Sequence, residues 1–450
     1  MTGTSSGATL SILRMGQDGD GVGVMPDGRL AFIAGALPGE TVAVRVIDER
    51  PRFVRAALVE VLDASAERDV PPCPAYETCG GCTFQHWRYT AELAYKGDRV
   101  RDAFSRLAGL PDVRIEPIRG ARNPYGYRGK ASFPWGGRVG ETRLGLYRRG
   151  THQLVPLSAC LIQAEGVNRV LEPAVRHADA LGLAPYDEAR GEGLLRHLVV
   201  RESRADARVA VMPVATAFSP AFPEWARRVM NDVDVVSGVA VNLNARPGNR
   251  ILGPDTRTVR GDPRLTEVIL GARFIIEPDA FFQVNAEQVA VLYQAVLDAL
   301  HDAREAWDLY AGVGTLAVLM ARRGMGVRAV DVVPSAVAAG RMNASANGVA
   351  VDWREAAVED VLPAWLREEG IPEAVVVDPP RAGLAPAVTT ALAASSVPLI
   401  VYVSCRPESL ARDVGRLAPF YEVKRVVPVD LFPRTDHVEC VVTLERRART

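Results

Sequence analysis

The chain has 450 residues, of which 48% are hydrophobic and 24% are charged, and its formal net charge is −1. This length is too great for one ordinary hydrophobic core, so the composition predicts a soluble globular protein of two or three domains. The sequence shows no signal peptide and no apolar run of about 18 residues, which predicts a cytoplasmic protein without a membrane partner. Because the net charge is near zero, any nucleic-acid contact would depend on a local basic patch.

Residues 9 to about 63 carry short apolar runs separated by turn residues, with four glycines between Gly16 and Gly23. Four clear strands, and a fifth near residues 22–24, predict a small barrel of the OB kind, a shape that often binds oligonucleotides. A small β-domain without a ligand is the alternative. Residues 64–70 have the composition of a linker.

Three cysteines lie within ten residues, at Cys73, Cys79 and Cys82, and two glycines before Cys82 let the backbone fold tightly around them. Cys160 is the only other cysteine that precedes Cys405. Soft thiolates select zinc or iron–sulfur clusters. The asymmetric C-x5-C-x2-C spacing with a distant fourth thiol favours a four-iron four-sulfur (4Fe-4S) cluster, and zinc remains the alternative.

Basic and aromatic residues are interleaved between residues 121 and 152, where Glu141 is the only acid. Cations can hold phosphates while aromatic rings stack on unpaired bases, so this stretch predicts a surface for single-stranded or looped RNA. A β-hairpin with a solvated charged face is the alternative. The cations are Arg122, Arg128, Lys130, Arg138, Arg143, Arg148 and Arg149, and the aromatic residues are Tyr125, Tyr127, Phe133, Trp135 and Tyr147.

The last part of the chain follows a βαβ pattern after a helix that Asn285 can cap. A predicted strand at residues 306–310 leads into the glycine turn 311–315, and the strand 327–331 ends in an acid, Asp331. Glycines at the first turn let a ligand approach the backbone, and the acid can accept hydrogen bonds from ribose hydroxyls. Because a third phosphate-binding glycine is missing, the pattern favours S-adenosylmethionine over a dinucleotide.

Two further apolar runs end in groups that can react. Residues 375–377 lead into Asp378 and a Pro-Pro turn, and residues 401–404 lead into Cys405. If these strands are parallel neighbours, their carboxyl ends meet in one crevice, where open α/β sheets bind ligands. We therefore predict that the thiol and the carboxylate share a pocket. Position 405 on its own would also fit an inert, buried cysteine.

Taken together, these motifs resemble the RNA uridine-C5 methyltransferases, the family that forms 5-methyluridine. The resemblance covers nearly the whole chain and is most specific to the iron–sulfur members that act on 23S ribosomal RNA. The motifs that carry it are the four cysteines, Phe282-Gln283-Val284-Asn285, the segment 308–315, Asp378-Pro379-Pro380-Arg381-Ala382-Gly383, Ser404-Cys405-Arg406-Pro407 and His437-Val438-Glu439.

The resemblance implies an α/β protein in three parts, which we expect to be a monomer. An OB/TRAM-like β-barrel is expected at residues 1–65, and an α+β central domain with the cluster and an RNA-binding surface at residues 66–275. A doubly wound, Rossmann-like class I methyltransferase domain is expected at residues 276–450. The helical stretch at residues 91–107 can pack on another domain, so these boundaries are approximate.

The same resemblance implies the chemistry. Cys405 would attack C6 of the uracil, which makes C5 nucleophilic toward the methyl group of S-adenosylmethionine, and Glu439 would then remove the C5 proton. The family more often has glutamate at position 331, so Asp331 is expected to reach the ribose less easily. The residues that would contact S-adenosylmethionine are Gln283, Tyr310, Asp331 and Asp378, and those that would ligate the 4Fe-4S cluster are Cys73, Cys79, Cys82 and Cys160.

Other functions compatible with these residues differ in substrate or in chemistry. A transfer RNA uridine-C5 methyltransferase would use the same reaction, but such enzymes generally lack the barrel and the cysteine set, which favours 23S ribosomal RNA. A non-catalytic RNA-binding protein with this fold would need neither Cys405 nor Glu439. A cytosine-C5 RNA methyltransferase is disfavoured because the turn after Asp378 contains no cysteine.

Overall fold

The computed structural model describes residues 7–448 and contains three large β-sheets, each with its own hydrophobic core. Within that range, no helix combines the length and the apolar character that crossing a lipid bilayer requires. The helices are α1 (Tyr89–Arg106), α2 (Glu165–Ala180), α3 (Phe222–Asp232), α4 (Ala286–Ala299), α5 (Thr315–Arg322), α6 (Pro334–Ala346), α7 (Val358–Glu368), α8 (Pro386–Ala394) and α9 (Pro407–Leu417).

The N-terminal sheet has six strands and curves so that its edges approach each other. The strands are β1 (Gly7–Ser11), β2 (Arg14–Met15), β3 (Gly21–Val24), β4 (Leu30–Ile33), β5 (Thr41–Glu49) and β6 (Phe53–Asp63). The sheet order is β1-β5-β6-β4-β3-β2, yet a Cβ at Gly23 on β3 would come within 3.0 Å of the Ser11 carbonyl oxygen on β1. The expected small barrel is therefore present. Strand β2 was not expected from the sequence, because two residues are too few to show a hydrophobic pattern.

The central sheet has seven strands and carries α2 and α3 on one face. Its strands are β7 (Lys130–Arg138), β8 (Glu141–Tyr147), β9 (Leu154–Pro156), β10 (Leu195–Glu202), β11 (Val209–Ala215), β12 (Val236–Leu243) and β13 (Asp255–Gly261). The sheet order is β13-β12-β11-β10-β7-β8-β9. Three aromatic residues that were expected to face RNA, Tyr127, Phe133 and Trp135, are buried instead. Phe133 and Trp135 lie on the face of β7 that packs into the core.

A hairpin of β14 (Leu265–Ile269) and β15 (Ala272–Ile276) follows the central sheet. Phe274 of this hairpin shares a core with α4 and α5. The side chain of Asn343 on α6 links the hairpin to the C-terminal part of the chain. It accepts a hydrogen bond from Ile275 N of β15 (2.8 Å) and donates one to Val313 O in the turn before α5 (3.1 Å). The hairpin therefore packs on the C-terminal part of the chain, although a linear boundary at 275 assigns nearly all of it to the central domain.

The C-terminal sheet has seven strands and is doubly wound. Its strands are β16 (Glu305–Leu309), β17 (Gly326–Asp331), β18 (Asp352–Glu355), β19 (Ala374–Val377), β20 (Leu399–Ser404), β21 (Tyr421–Val429) and β22 (Glu439–Arg446). In the order β18-β17-β16-β19-β20-β22-β21, the strand pairs are parallel except the two that involve β22. The connections reverse direction between β16 and β19, where the carboxyl ends of the strands open a ligand crevice. The α/β class expected from the sequence is confirmed.

Helix α1 packs on this C-terminal sheet although it precedes the central sheet in the chain. Its buried residues Val100 and Phe104 share a core with Leu410 and Val414 of α9. Helix α1 therefore contacts the C-terminal domain, although the expected boundaries place it in the central domain.

A buried ion cluster joins α1 to the end of β21. The Lys96 ammonium group is fully buried and donates hydrogen bonds to Glu92 Oε1 (2.8 Å), Asp430 Oδ1 (2.7 Å) and Phe432 O (3.2 Å). Tyr89 donates to the other Asp430 oxygen at 2.6 Å. Burial opposes the lysine charge, but the two carboxylates outweigh it and raise the pKa of Lys96. Burial also raises the pKa of Glu92 to about 7, against the attraction of Lys96.

Lys96→Met should lower the free energy of unfolding at pH 7 by about 3–5 kcal/mol, the usual cost of leaving buried charges uncompensated. The defect should shrink at pH 5, because protonation of Glu92 then removes one of the two carboxylate charges. Urea denaturation measures the difference. Lys424→Met, which removes an exposed ion pair, is the matched control and should leave the unfolding curve almost unchanged. Equal effects of the two substitutions would contradict the role given to Lys96.

Candidate active site

Cys405 and Glu439 face each other at the open end of the C-terminal sheet. Strands β20 and β22 are antiparallel, and their register pairs Ser404 with Cys440. The next positions outward are Cys405 and Glu439, which therefore lie across from each other. Pro407 begins helix α9 two residues after the cysteine, so the thiol lies in the turn between strand and helix.

Asp378 follows the neighbouring parallel strand β19 and brings a second carboxyl group into the crevice. Burial raises the pKa of Asp378 to about 7. Glu439 is only 4% exposed, and burial together with the charge of Asp378 raises its pKa to about 8. The thiol and the Asp378 carboxyl group thus share one crevice, and both acids are partly protonated at neutral pH.

Arg381 supplies positive charge beside the thiol. Burial and the charge of Glu439 raise the pKa of Cys405, whereas the Arg381 guanidinium group lowers it. A guanidinium nitrogen of Arg381 also lies 3.3 Å from Nε2 of His437. The sequence analysis assigned no role to Arg381. Its place three residues after Asp378, in a Pro-Pro turn at a strand end, is the signal that could have found it.

Asp308 and Tyr293 also face this crevice and were not expected there. Asp308 is 1% exposed at the end of β16, and its Oδ2 has no hydrogen-bond partner within residues 7–448. Burial and the charge of Asp378 raise its pKa to about 8. Burial raises the pKa of Tyr293 on α4, with the charges of Asp378, Asp308 and Glu439 adding to the effect. An unpartnered, buried carboxyl group of this kind suits a cationic or hydrogen-donating ligand.

The turn between β16 and α5 forms one wall of the crevice. Tyr310 has a φ of +70°, a left-handed conformation that is strained for a bulky residue. The Asp331 carboxylate accepts hydrogen bonds from Gly312 N (2.9 Å) and Val333 N (2.8 Å), which fix the turn. Around Gly312, a Cβ would have no atom of residues 7–448 within 4 Å, so its backbone is open to a ligand. Tyr310 and Asp331 therefore meet at one turn.

Gln283 lies in the loop before α4, beside the central domain. Gly129 N donates to Val284 O at 2.7 Å, and the Asn285 side chain donates to Leu431 O at 3.0 Å. Asn285 also caps α4 by accepting a hydrogen bond from Gln288 N, as the sequence predicted. Within residues 7–448, none of the hydrogen bonds joins Gln283 to Tyr310, Asp331 or Asp378.

The four N-terminal cysteines lie within electrostatic range of one another. Burial raises the pKa of Cys82 to about 12, and the charges of Cys160, Cys79 and Cys73 add to the effect. Cys160 is buried beside Tyr127 and Ile162. However, no group of three or more Cys, His, Asp or Glu side chains among residues 7–448 is compact enough to hold a single metal ion. The expected cluster site is thus not confirmed.

The peptide after Cys82 is attached to the loop that leads into Glu439. Thr83 N donates to Arg434 O at 2.8 Å, and the Arg434 guanidinium group donates to Trp87 O at 2.7 Å. Arg434 has a φ of +67°, and these bonds hold it in that rarely populated conformation. The cysteine segment and the loop before Glu439 are therefore fixed relative to each other.

Two family models match the chain. The model described as tRNA (Uracil-5-)-methyltransferase matches residues 366–447, a segment that includes Asp378, Cys405 and Glu439. The TRAM domain model matches residues 8–59, which span most of the N-terminal barrel.

Curated relatives match over nearly the full length. One from Enterococcus faecalis, named an uncharacterized RNA methyltransferase, is 35% identical and covers 98% of this chain and 97% of its own. Another with that description, from Gloeobacter violaceus, is 36% identical and covers 97% of this chain and 96% of its own.

A solved structure has the same architecture. The crystal structure of Pyrococcus abyssi tRNA (uracil-54, C5)-methyltransferase in complex with S-adenosyl-L-homocysteine has a TM-score of 0.79 and 25% sequence identity. The match covers 97% of this chain and 99% of that chain, so it includes the N-terminal barrel.

Arg381→Met should move the pH dependence of Cys405 alkylation by iodoacetamide to higher pH, because the thiolate loses its neighbouring cation. Glu439→Gln should move it to lower pH, because the neighbouring negative charge is removed. Mass spectrometry of the peptide that contains Cys405 separates its rate from those of the other thiols. Arg406→Met, which changes an exposed neighbour, should cause little shift. Shifts of Arg381→Met and Glu439→Gln in the same direction would contradict the charge arrangement.

Proposed function

The chain belongs to the RNA methyltransferases that combine a TRAM domain with a tRNA (uracil-5-)-methyltransferase domain, and we propose that it methylates C5 of a uridine in 23S ribosomal RNA. Membership makes it an S-adenosylmethionine-dependent RNA (uracil-C5-)methyltransferase. The observation that carries the proposed mechanism is the opposition of Cys405 and Glu439 beside Asp378 at the end of the C-terminal sheet.

Cys405 is the nucleophile of the proposed reaction. The C5 atom of uracil is a weak nucleophile until a thiolate adds to C6, which moves the electron pair of the C5–C6 double bond toward C5. C5 then takes the methyl group, and the Glu439 carboxylate accepts the remaining C5 proton. The electrons of the C5–H bond restore the C5–C6 double bond and expel the Cys405 thiolate. The RNA leaves with one added methyl group, and the enzyme retains the proton on Glu439.

The electrostatics of the crevice support these roles. A pKa of about 8 makes Glu439 a stronger base than a solvated carboxylate, while a fraction of it is still ionised at neutral pH. Arg381 favours the thiolate form of Cys405, both before attack and after its release. The same buried setting that raises these pKa values would keep water away from the reacting atoms.

The acids of the crevice fit S-adenosylmethionine, which supplies an electrophilic methyl group on a positively charged sulfur. Asp331 would accept hydrogen bonds from the ribose hydroxyls with the lone pairs that Gly312 N and Val333 N leave free. Asp378 and Asp308, whose Oδ2 has no hydrogen-bond partner among the described residues 7–448, would complement the cationic groups of the cofactor. Tyr310 would lie against it from the strained turn. Gln283 is proposed to reach it from the central-domain side.

Transfer RNA is the second candidate substrate, and one observation favours it. The solved tRNA (uracil-54, C5)-methyltransferase aligns with 97% of this chain, including the barrel. The barrel therefore does not separate ribosomal from transfer RNA enzymes, contrary to the expectation from the sequence. The proposal of 23S ribosomal RNA rests on the resemblance carried by the cysteine set and the motifs around Cys405 and Glu439.

The protein, purified without oxygen, should transfer tritium from methyl-labelled S-adenosylmethionine to a 23S ribosomal RNA transcript and not to transfer RNA. Nuclease digestion and mass spectrometry should identify 5-methyluridine at a defined position. Label in transfer RNA alone would overturn the substrate and keep the chemistry. Label in neither RNA would overturn the proposed function.

Variants of the two reacting groups serve as controls for this assay. Cys405→Ala should abolish methylation and leave RNA affinity within about twofold, because a nucleophile contributes chemistry rather than ground-state binding. Glu439→Gln should transfer the methyl group and then stop, so that a covalent protein–RNA adduct accumulates on a denaturing gel. An adduct formed by Cys405→Ala would contradict the assignment of the nucleophile.

We also propose that Cys73, Cys79, Cys82 and Cys160 ligate a 4Fe-4S cluster. The donor set of four thiols in one neighbourhood fits soft iron–sulfur chemistry. The asymmetric C-x5-C-x2-C spacing with a distant fourth thiol favours the cluster over zinc. The cluster takes no part in methyl transfer and would stiffen the peptide that contacts Arg434.

Cys82→Ser should lower the iron and acid-labile sulfide content of the anaerobically purified protein together and reduce its melting temperature, since metal binding contributes to folding. Cys405→Ser should leave the iron content unchanged. Zinc in place of iron in the wild-type protein would overturn the cluster and favour the alternative metal.

A further inference from the structure

Two basic residues lie side by side on neighbouring strands of the central sheet. The register of β7 and β10 places Lys130 directly opposite Arg201. Both side chains donate hydrogen bonds to one oxygen, Ala280 O, at 3.4 Å and 3.1 Å. Ala280 lies three residues before Gln283 in the loop that leads to α4. Like charges at directly opposed positions of a sheet are destabilising, so this arrangement requires a reason.

The positive charge of the pair is not neutralised by the groups around it. Arg201 is 5% exposed, and its Nε has no hydrogen-bond partner within residues 7–448. Burial lowers the pKa of Lys130 to about 7, and the charges of Arg201 and Arg128 lower it further against the opposing charge of Asp279. Burial also lowers the pKa of Arg201 to about 10, against the charge of Glu267. Asp279 and Glu267 favour the charged forms of Lys130 and Arg201, but burial outweighs them in both cases.

The pair lies between the central sheet and the loops of the candidate active site. Arg128, which bonds to Lys130 O through its Nε at 3.2 Å, has its guanidinium carbon 6.0 Å from the ring centre of Phe432. Phe432 belongs to the loop that leads into Glu439. Lys130 is half-buried and Arg201 is almost fully buried, so Lys130 is the more accessible cation of the pair.

We propose that the Lys130 ammonium group, backed by Arg201, binds a backbone phosphate of the RNA strand that carries the target uridine. This inference rests on the proposed function. A phosphate would compensate the two cations and would hold the strand beside the crevice that contains Cys405. The methionine carboxylate of the cofactor is the other anion available. The pair lies on strands of the central sheet, whereas Gly312 and Asp331 lie at the ends of strands of the C-terminal sheet, which favours the phosphate.

The lysine content of the chain makes the proposal easy to test. The chain has only three lysines, Lys96, Lys130 and Lys424. Lys96 is fully buried, and Lys424 is exposed with a pKa raised by Glu422. At pH 7 an amine-directed acetylating reagent should therefore modify Lys130 faster than Lys424, as mapped by peptide mass spectrometry. RNA that the enzyme methylates should protect Lys130, and S-adenosylmethionine alone should not.

Binding measurements with the full-length protein supply the second readout. Lys130→Met should weaken RNA binding about tenfold, the value of one charge-assisted hydrogen bond. It should also reduce the slope of log Kd against log salt by about 0.7, the value for one single-strand phosphate contact. Lys130→Arg should keep the affinity and remove the rise of Kd that the wild type shows as pH increases through about 7, because arginine does not lose its charge. Lys424→Met is the matched control and should change neither quantity.

The outcomes separate the proposal from the proposed function. Methylation with unprotected Lys130 and an unchanged salt slope for Lys130→Met would overturn the phosphate site and keep the enzyme. Protection by S-adenosylmethionine alone would assign the pair to the cofactor carboxylate. A lower melting temperature of Lys130→Met with an unchanged salt slope would give Lys130 a structural role, because removal of an uncompensated charge should not destabilise the fold. Absence of both RNA binding and methylation in the wild type would overturn both proposals.

Discussion

The buried ammonium group of Lys96 is the contact on which the arrangement of the whole molecule depends. It joins α1, from the N-terminal third of the chain, to Asp430 and Phe432, which lie in the loop between β21 and Glu439 of β22. The same helix supplies Glu92, whose Oε1 accepts a hydrogen bond from Arg434 N at 2.8 Å. The core of the C-terminal sheet therefore includes a helix that precedes the central sheet in the chain. This explains why the segment after Cys82 lies against the loop before Glu439, far away in sequence.

The buried acids of the active-site crevice lower the stability of the folded protein. Asp308, Asp378 and Glu439 are buried close together, and burial raises the pKa of each above the range of a solvated carboxyl group. A folded protein gains nothing from such a group unless a ligand or a reaction uses it. The same holds for the opposed cations Lys130 and Arg201. The proposed function accounts for both groups, because the acids would complement a cationic methyl donor and the cations would complement an anionic RNA strand.

Much of the fold could be predicted because local patterns determine it. The strands that end near Leu309, Asp331, Asp378 and Cys405 were expected from short apolar runs, and the cap of α4 from Asn285 alone. The shared crevice of Asp378 and Cys405 followed from the rule that parallel strands bring their carboxyl ends together. The remainder depends on contacts between distant parts of the chain. Lys96 and Asp430 are 334 residues apart, and the apolar face of α1 does not indicate which sheet it covers.

Residues that shift the pKa of neighbouring groups could not be identified from the sequence either. Arg381 and Asp308 lie in motifs that were identified, but their roles depend on burial and on neighbours that only the fold supplies. Tyr127, Phe133 and Trp135 show the opposite error, since an aromatic and basic composition indicated RNA contact where β7 turns part of its side chains into the core. The amino-acid composition of a strand indicates a binding surface only when it is known which of its side chains point away from the core.

We propose that Cys405 and Glu439 together replace the C5 hydrogen of a uridine with a methyl group. This exchange can be measured with an RNA transcript labelled with tritium at C5 of its uridines and unlabelled S-adenosylmethionine. We expect one tritium to appear in water for each methyl group transferred, and Glu439→Gln to transfer the methyl group without releasing tritium. Methyl transfer without tritium release by the wild-type protein would contradict the proposal.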